Sequence, residues 1–461
     1  MSTTPPRPGA AGSGREGSLE APTRHPLAWR TPEFYEQAAL EKELERVFDI
    51  CHGCRRCFSL CNAFPTLFDA VDATSEGEVQ AVERKVFWEV VDHCYLCDMC
   101  FMTKCPYVPP HPWNVDFPHL MLRAKAARVK AQGLALSERV LAATDAVGSL
   151  AGIPVVAEMV NAVNASRAGR ALLEKTLGVD RGAPLPKYHA RSARRRLAAL
   201  GTVTPAAAAA ARAARATADT TGRVALFTTC YGNRNAPELD EDLAAVFGHN
   251  GIELALLDGE RCCGMPRLEL GDLEGVAKLK EFNIPRLMRA VEAGYDLVAP
   301  IPSCVLMFKQ ELPLMYPADQ QVQRVGAHMF DPFEYLMLRH AAGLLRTDFK
   351  AALGKVSYHV PCHLRVQNLG LKTRDLLKLV PGTTVEPIER CSGHDGTYGV
   401  KRRFRAASVK IGRPVVQKVQ TSGADHYASD CPMAGHQIES GLEGARPPEH
   451  PLRLLRIAYG L

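Results

Sequence analysis

The pattern of apolar and polar residues changes character near the middle of the chain. In the first half, apolar residues recur at helical spacing, which predicts a helix over residues 31–48 and several helices over residues 119–200. From Arg223 onwards, short apolar runs alternate with longer helical patterns. The predicted strands span residues 224–227, 252–257, 297–301, 356–359, 384–388 and 426–428. Strands that alternate with helices favour parallel α/β layers.

The α/β part of the sequence contains an internal repeat that is marked by its cysteines. The cysteines of the second copy follow those of the first at a nearly constant offset of about 130 residues. They are Cys230, Cys262 and Cys304 in the first copy and Cys362, Cys391 and Cys431 in the second. Each lies where a predicted strand ends, at the edge where α/β folds place their ligands. The sequence therefore predicts two copies of one cysteine-bearing α/β unit.

Composition limits the class of protein. The chain has 461 residues, of which 46% are apolar and 23% are charged, unlike a disordered chain or a polytopic membrane protein. It has 15 cysteines, and residues 1–28 read as a flexible leader without the apolar run of a secretory signal. We therefore expect a cytoplasmic protein whose reduced cysteines act as metal or redox ligands.

Two cysteine runs in the first half have the spacing of iron–sulfur ligands. They read CHGCRRCFSLC over residues 51–61 and CYLCDMCFMTKCP over residues 94–106. In two-cluster ferredoxins, the fourth cysteine of each run binds the cluster of the other run. The two predicted 4Fe–4S clusters are therefore held by Cys51, Cys54, Cys57 and Cys105, and by Cys94, Cys97, Cys100 and Cys61.

Both runs depart slightly from the bacterial ferredoxin pattern. Asn62 rather than proline follows Cys61, and four rather than three residues precede Cys105. Zinc sites are the alternative, because paired cysteines also bind zinc, but each run already brings four thiols close together. His52 and His93 adjoin first ligands, and we expect them beside the clusters or facing solvent rather than as ligands.

The repeated units carry smaller cysteine sets. The first unit holds four cysteines, and two of these, Cys262 and Cys263, are adjacent. Adjacent cysteines rarely bridge each other, which favours a metal or redox role for the set Cys230, Cys262, Cys263 and Cys304. The second unit holds only Cys362, Cys391 and Cys431, with His363 and His394 nearby, and these thiols are interpreted as remnants that line a pocket.

Together these motifs resemble the iron–sulfur proteins that carry CCG cysteine-rich domains, as in heterodisulfide reductases and in glycolate and D-lactate oxidases. The resemblance is strongest to the iron–sulfur component of anaerobic glycerol-3-phosphate dehydrogenases, their C subunits, and covers residues 48–461. It rests on both cysteine runs and on the segments VPCHL at 360–364, ERCSG at 389–393, GTYGVK at 396–401, DC at 430–431 and QIE at 437–439. The family's full motif has an adjacent cysteine pair and a closing C-x-x-C in each unit. Here Ile301, Ser392 and Ala434 stand where that motif has cysteines.

The resemblance implies an α+β multidomain fold. Its expected parts are an α-helical two-cluster ferredoxin domain over 29–118, a basic helical segment and Ala/Arg linker over 119–220, and cysteine-rich α/β units over 221–345 and 346–461. It also implies an additional iron–sulfur cluster or a redox thiol site in the first unit. The sequence lacks a dinucleotide-binding fingerprint and a Walker loop, so we expect no flavin or nicotinamide site on this chain.

The implied function is electron transfer rather than substrate oxidation. Electrons would pass from a flavin-containing dehydrogenase, or another redox protein, through both clusters towards membrane quinone.

The middle of the chain is basic: residues 121–220 contain 16 Lys/Arg and 6 Asp/Glu. This charge suits an acidic partner or the cytoplasmic face of the inner membrane. A solvated helix face is the alternative interpretation. Nucleic acid is not expected, because no aromatic residue is interleaved with the arginines. Two alternatives remain: a thiol–disulfide reductase acting at Cys262 and Cys263, and a non-catalytic metal-binding scaffold or sensor.

Overall fold

The computed structural model of the chain describes residues 22–204, 215–444 and 447–461. Residues 1–21 of the predicted leader and residues 205–214 of the predicted linker lie outside the described residues. The described part combines helices with parallel sheets, which confirms the predicted mixed α and β class.

In the described residues before 205, the regular elements are helices. The N-terminal ones are Pro32–Tyr35, Gln37–Cys54, Ala63–Asp72, Val79–Ala81, Arg84–His93, Met99–Thr103 and Phe117–Gln132. A second group follows: Leu136–Ala142, Thr144–Ala151, Pro154–Ala165, Arg167–Leu177 and Ala193–Arg196. The break at 152–154 lies where glycine and proline predicted it, because proline starts a helix readily but cannot continue one.

The second half contains two parallel sheets. The first sheet consists of β1 (Arg223–Leu226), β2 (Glu253–Leu256), β3 (Asp296–Val298) and β4 (Met329–Phe330), in the order β2-β1-β3-β4. The second consists of β5 (Gly354–His359), β6 (Thr383–Ile388) and β7 (His426–Ser429), in the order β6-β5-β7. All six predicted strands are present, whereas β4, with two residues, was not predicted. Apart from β4 the two sheets have the same strand order, as the cysteine repeat predicts.

Helices connect and cover these strands. Around the first sheet they are Cys230–Arg234, Pro237–His249, Met265–Leu268, Leu273–Glu292, Pro302–Leu306, Met307–Glu311, Leu312–Met315, Gln320–His328 and Pro332–Ala341. Around the second they are Cys362–Arg365, Lys372–Leu377, Arg402–Phe404, Arg405–Gln420, Pro432–Glu439 and Pro451–Tyr459. One contiguous apolar core extends from the N-terminal helices through both sheets, so the modules pack directly against each other.

The end of the predicted leader is folded, which corrects the expectation for residues 22–28. The Leu27 side chain is buried, and its backbone N–H donates to the Leu314 carbonyl at 2.9 Å. The Arg24 guanidinium forms ion pairs with Asp98 at 2.7 Å and Asp116 at 2.9 Å. Those acidic partners lie 74 and 92 positions further along the chain, so local composition could not reveal them.

The helical segment in the middle of the chain exposes apolar side chains. Val155 and Met159 are 68% and 62% exposed, and Leu150, Ile153 and Val163 are also exposed. We name these five residues the apolar helical surface. Among the described residues no single helix could span a membrane by length and composition, although Thr144–Ala151 and Pro154–Ala165 meet that test as a pair bent by 107°.

Candidate metal centres

The first four predicted ligands surround one small cavity. Cys51 and Cys54 lie in the last turn of helix Gln37–Cys54, which ends because Arg55 adopts a left-handed conformation with a φ of 53°. This reversal brings Cys57 back towards the helix end. Cys105 enters from the loop after Met99–Thr103 and lines the same cavity as the other three thiols.

Electrostatics at this cavity fit a group that binds thiolates. Burial, then the neighbouring Cys105 and Cys54, raise the pKa of Cys57 to about 12. Burial and the charges of Cys57, Cys105 and Cys54 likewise raise the pKa of Cys51. Buried thiols that resist ionisation in an apolar cavity are what a cationic cluster core would compensate. The donor set therefore fits a four-cysteine iron–sulfur cluster.

Three cysteines of the second predicted set lie close together. Burial raises the pKa of Cys100, and the charges of Cys57, Cys94 and Cys61 raise it further. Burial and Cys94 raise the pKa of Cys61 in the same way. Because Cys57 of the first set and Cys94 of the second both act on Cys100, the two sets are neighbours.

The fourth member of that set, Cys97, faces the second cysteine-rich unit as well. The ligand atoms of Cys97, Cys362 and Asp395 all lie within 4.8 Å of one another. The hydrogen bond with Cys362 acts to lower the pKa of Cys97, but burial, followed by the charges of Asp395, Cys391 and Cys61, raises it overall. The structure therefore brings a ferredoxin-type run against the thiols of a unit that begins more than 200 positions later. Asp395 was not among the predicted site residues.

The four cysteines of the first unit also converge. Cys230 follows β1 and Cys304 follows β3, and the Cys262–Cys263 pair lies between β2 and Gly264, whose φ is 106°. The Cys230 thiol donates to the Cys262 Sγ at 3.9 Å. Hydrogen bonds from the Cys230 and Cys263 thiols lower the pKa of Cys262 well below its usual range. The bond to Cys262, followed by burial, raises the pKa of Cys230. The bond to Cys262, followed by the bond to Cys304, raises the pKa of Cys263.

A carboxylate from the middle helical segment accepts a hydrogen bond from this first unit. The backbone N–H of Cys262 donates to the two Asp145 carboxylate oxygens at 3.0 and 2.9 Å. Asp145 was missed as a site residue, because nothing in its local sequence indicates a contact 117 positions away.

Two of the three cysteines in the second unit are neighbours. The Cys391 Sγ accepts the backbone N–H of Gly393 at 3.3 Å and lies 3.4 Å from the Tyr95 hydroxyl. The hydrogen bond to Cys362, followed by burial, raises the pKa of Cys391. Cys431 lies at the end of β7. Burial raises the pKa of its thiol to about 12, although hydrogen bonds from the backbone N–H groups of Ala434 and Met433 act to lower it.

The histidines near these cysteines have other partners or none. His93 Nδ1 lies 2.9 Å from the Tyr398 hydroxyl, and His52 Nε2 lies 3.4 Å from Asp72. His363 Nδ1 lies 2.8 Å from Ser303 Oγ and so links the two units. The buried His394 ring has no hydrogen-bond partner in the part of the chain that is described, and burial lowers its pKa to about 4.

Both repeated units match a known domain class. Residues 224–309 and 356–439 match the CCG cysteine-rich domain, so the chain carries two such domains, as the sequence predicted.

The similarity to known proteins extends beyond these two domains. The chain is 29% identical to the C subunit of the anaerobic glycerol-3-phosphate dehydrogenase of Escherichia coli over 346 residues, which is 75% of this chain and 82% of that relative. It is 28% identical over 246 residues to the B subunit of the fumarate reductase (CoM/CoB) of Methanothermobacter marburgensis, covering 51% of this chain and 46% of that protein. Lactate utilization protein A 2 of Bacillus anthracis is 28% identical over 186 residues, covering 39% of this chain and 74% of that protein. The predicted resemblance is confirmed, and the chain is related to components of oxidoreductase complexes.

Proposed function

We propose that the chain is an iron–sulfur electron-transfer subunit that takes electrons from a flavin-containing dehydrogenase and passes them towards membrane quinone. The observation that carries this proposal is the cavity lined by Cys51, Cys54, Cys57 and Cys105, which adjoins the second thiol set. When bound, each 4Fe–4S cluster supplies a one-electron carrier. The chain's own residues hold the thiols of the first set around a mostly apolar cavity and set their spacing.

The partner is inferred from the relatives. Their names include a component of a glycerol-3-phosphate dehydrogenase and a lactate utilization protein, and the sequence also resembles glycolate oxidases. The donor is accordingly a dehydrogenase of the glycerol-3-phosphate, glycolate or lactate type. The chain works at the cytoplasmic face of the inner membrane. The apolar helical surface and the basic segment over 121–220 support this location, because apolar side chains and cations bind anionic bilayers together.

The first experiment is iron, sulfide and zinc analysis of anaerobically purified protein, combined with redox-poised EPR. We expect about eight irons with matching sulfide for two 4Fe–4S clusters, and about twelve if the first cysteine-rich unit holds another cluster. Zinc without sulfide would contradict the relay and leave a metal-binding scaffold or sensor.

A second candidate function is thiol–disulfide reduction in the first unit. It is favoured by the low pKa of Cys262, since the thiolate is the reactive form of cysteine. If the iron analysis gives two clusters, a Cys263→Ser variant separates the two functions, because a relay through those two clusters does not use that thiol whereas a reductase needs it for turnover. Full electron transfer with no reduction of an offered disulfide would eliminate the second candidate.

A further inference from the structure

The exposed aromatic side chains of the protein lie beside the first thiol set, which consists of Cys51, Cys54, Cys57 and Cys105. Of the phenylalanines, tyrosines and tryptophans in the described residues, only Phe58 and Trp113 are exposed, at 56% and 48%. Phe58 directly follows Cys57, and the Trp113 ring lies 4.5 Å from the ring of Tyr107, which lines the cavity of this set. Because aromatic residues are enriched in protein–protein interfaces, their position indicates a contact surface.

Two cations lie beside the same cavity. The exposed Arg56 lines it, and the exposed Lys104 comes directly before the last cysteine of the set. Burial raises the pKa of Cys57 overall, but the charges of Lys104 and Arg56 act to lower it, so both cations are close to this thiol. Neither cation is in an ion pair in the part of the chain that is described, and Asp72 is already bonded to Arg55 at 2.9 Å. The surface beside the cavity is therefore positively charged.

The first thiol set is also closer to the protein surface than the second. Its four cysteines are half-buried, whereas Cys94 and Cys100 of the second set are buried. Cys97 of the second set faces the second cysteine-rich unit. Because the rate of electron transfer falls steeply with distance, a redox protein that docks on this chain reaches the relay most readily at the first set.

We propose that Arg56, Phe58, Lys104 and Trp113 form the docking surface for the electron donor, and that the donor surrounds its flavin with acidic side chains. The inference rests on the proposed function and adds the place where the electrons enter. The donor must be acidic because the two cations of the docking surface lack partners, and opposite charges steer the encounter. The exposed aromatic side chains supply the contact area for the small interface that is typical of a transient redox complex.

The transfer at this surface balances one electron at a time. In each encounter, one electron leaves the reduced flavin of the donor and enters the relay through the first thiol set. A second encounter takes the second electron, and the two protons of the reduced flavin go to solvent. The docking surface forms and breaks no bond, and its residues act by bringing the two redox groups together.

Reversing the charge of the docking surface tests its role. The probe is reduced flavodoxin, a small acidic flavoprotein, and stopped-flow absorbance follows the bleaching of the clusters. In an Arg56→Glu, Lys104→Glu double variant we expect reduction at least about tenfold slower at low ionic strength, because electrostatic steering is lost. Lys410→Glu, Arg413→Glu is the matched control, because both residues are exposed on helix Arg405–Gln420 of the second unit and the net charge changes equally. The control should react like the wild type.

The aromatic part of the surface has a different signature. A Phe58→Ser, Trp113→Ser double variant should be reduced about threefold or more slowly, while the rate still falls with ionic strength as in the wild type. Charge reversal should instead abolish this fall. Leu172→Ser is the control, since Leu172 is 58% exposed on helix Arg167–Leu177 and lies outside the docking surface.

A small reductant separates failure of the docking surface from failure of the relay. Photoreduced deazariboflavin is neutral and needs no docking surface, so all variants should be reduced by it equally, with the iron content and EPR spectra of the wild type. Equal rates with flavodoxin in all the proteins, despite normal photoreduction, would overturn the docking surface and leave the relay intact. A wild type that contains no reducible cluster would overturn the relay itself.

A bilayer is the other partner that a basic and aromatic surface could bind. Loss of binding to phosphatidylglycerol vesicles in both docking-surface variants, with unchanged flavodoxin rates, would overturn the proposal and assign the surface to the membrane. If one of the two variants fails to assemble its clusters, the other decides the question.

Discussion

Individual cysteines carry most of the chemical information in this chain. Spacing alone predicts that Cys105 joins Cys51, Cys54 and Cys57 rather than the nearer Cys94–Cys100 run, and in the structure these four thiols line one cavity. Spacing did not predict that Cys97 lies with Cys362 and Asp395. The difference has a physical cause: the first arrangement follows the ligand rule of two-cluster ferredoxins within residues 51–105, whereas the second requires two distant modules to pack.

Replacement of Cys105 tests the crosswise assignment. In a Cys105→Ser variant we expect about four of eight irons to be lost, together with one of the two EPR signals, because the first thiol set loses a corner. Iron and sulfide analysis with EPR provides the measurement. Cys431→Ser is the control, since this thiol belongs to neither predicted set, and it should retain all eight irons. Loss of the signal that depends on Cys94 instead would show that the assignment is wrong.

At the level of elements, the parallel strands determine where the cysteines meet. Cys230 and Cys362 follow the central strands β1 and β5, and the other repeated cysteines follow the flanking strands. The strands could be predicted because most are short, largely apolar runs that alternate with helical patterns. The strand β4 could not, because Met329–Phe330 forms only by pairing with β3. The helix containing Asp145 was predicted, but its contact with Cys262 depends on packing.

The turn after β6 provides an element-scale prediction. Gly393 has a φ of 75°, and an added Cβ would lie 2.1 Å from the Ser408 carbonyl oxygen. We expect Gly393→Ala to lower the free energy of unfolding by about 2–4 kcal/mol, through this clash and the left-handed backbone. It should also displace Cys391, whose thiol accepts the Gly393 N–H.

Gly423→Ala is the matched control for this turn. Gly423 has a φ of 59° but has nothing within 4 Å of an added Cβ, so only the backbone term of about 1 kcal/mol remains. Urea denaturation under anaerobic conditions compares the two variants. Equal losses of stability would contradict the steric argument.

At the level of the whole molecule, packing between modules creates features that neither module has alone. Arg24 joins the N-terminal end of the described chain to Asp98 and Asp116, and the Tyr95 hydroxyl reaches Cys391 in the second cysteine-rich unit. The middle helical segment contacts the first cysteine-rich unit through Asp145 and the second through Glu138, which pairs with Lys401, while its apolar helical surface stays exposed. An exposed apolar surface beside basic residues is the arrangement expected of a contact with a bilayer.

The apolar helical surface supports a prediction about membrane binding. A Val155→Glu, Met159→Glu double variant should bind vesicles containing phosphatidylglycerol about tenfold or more weakly than the wild type, because two apolar contacts are lost and two anions are added. Co-sedimentation measures the binding. Val409→Glu serves as the control, since Val409 is exposed on a different unit. Unchanged binding of the double variant would place the membrane contact elsewhere.

The sequence by itself determined the class of chemistry, the helical and α/β halves, the repeat and six of the seven strands in the described residues. These are local properties: ligand spacing, hydrophobic period and strand-end cysteines are all set within a few dozen residues. The tertiary structure alone decided the place of Arg24, the contact of Asp145 with Cys262 and the meeting of Cys97 with Cys362. Each of these depends on burial between segments far apart in the chain, and no local pattern encodes which buried partners will meet.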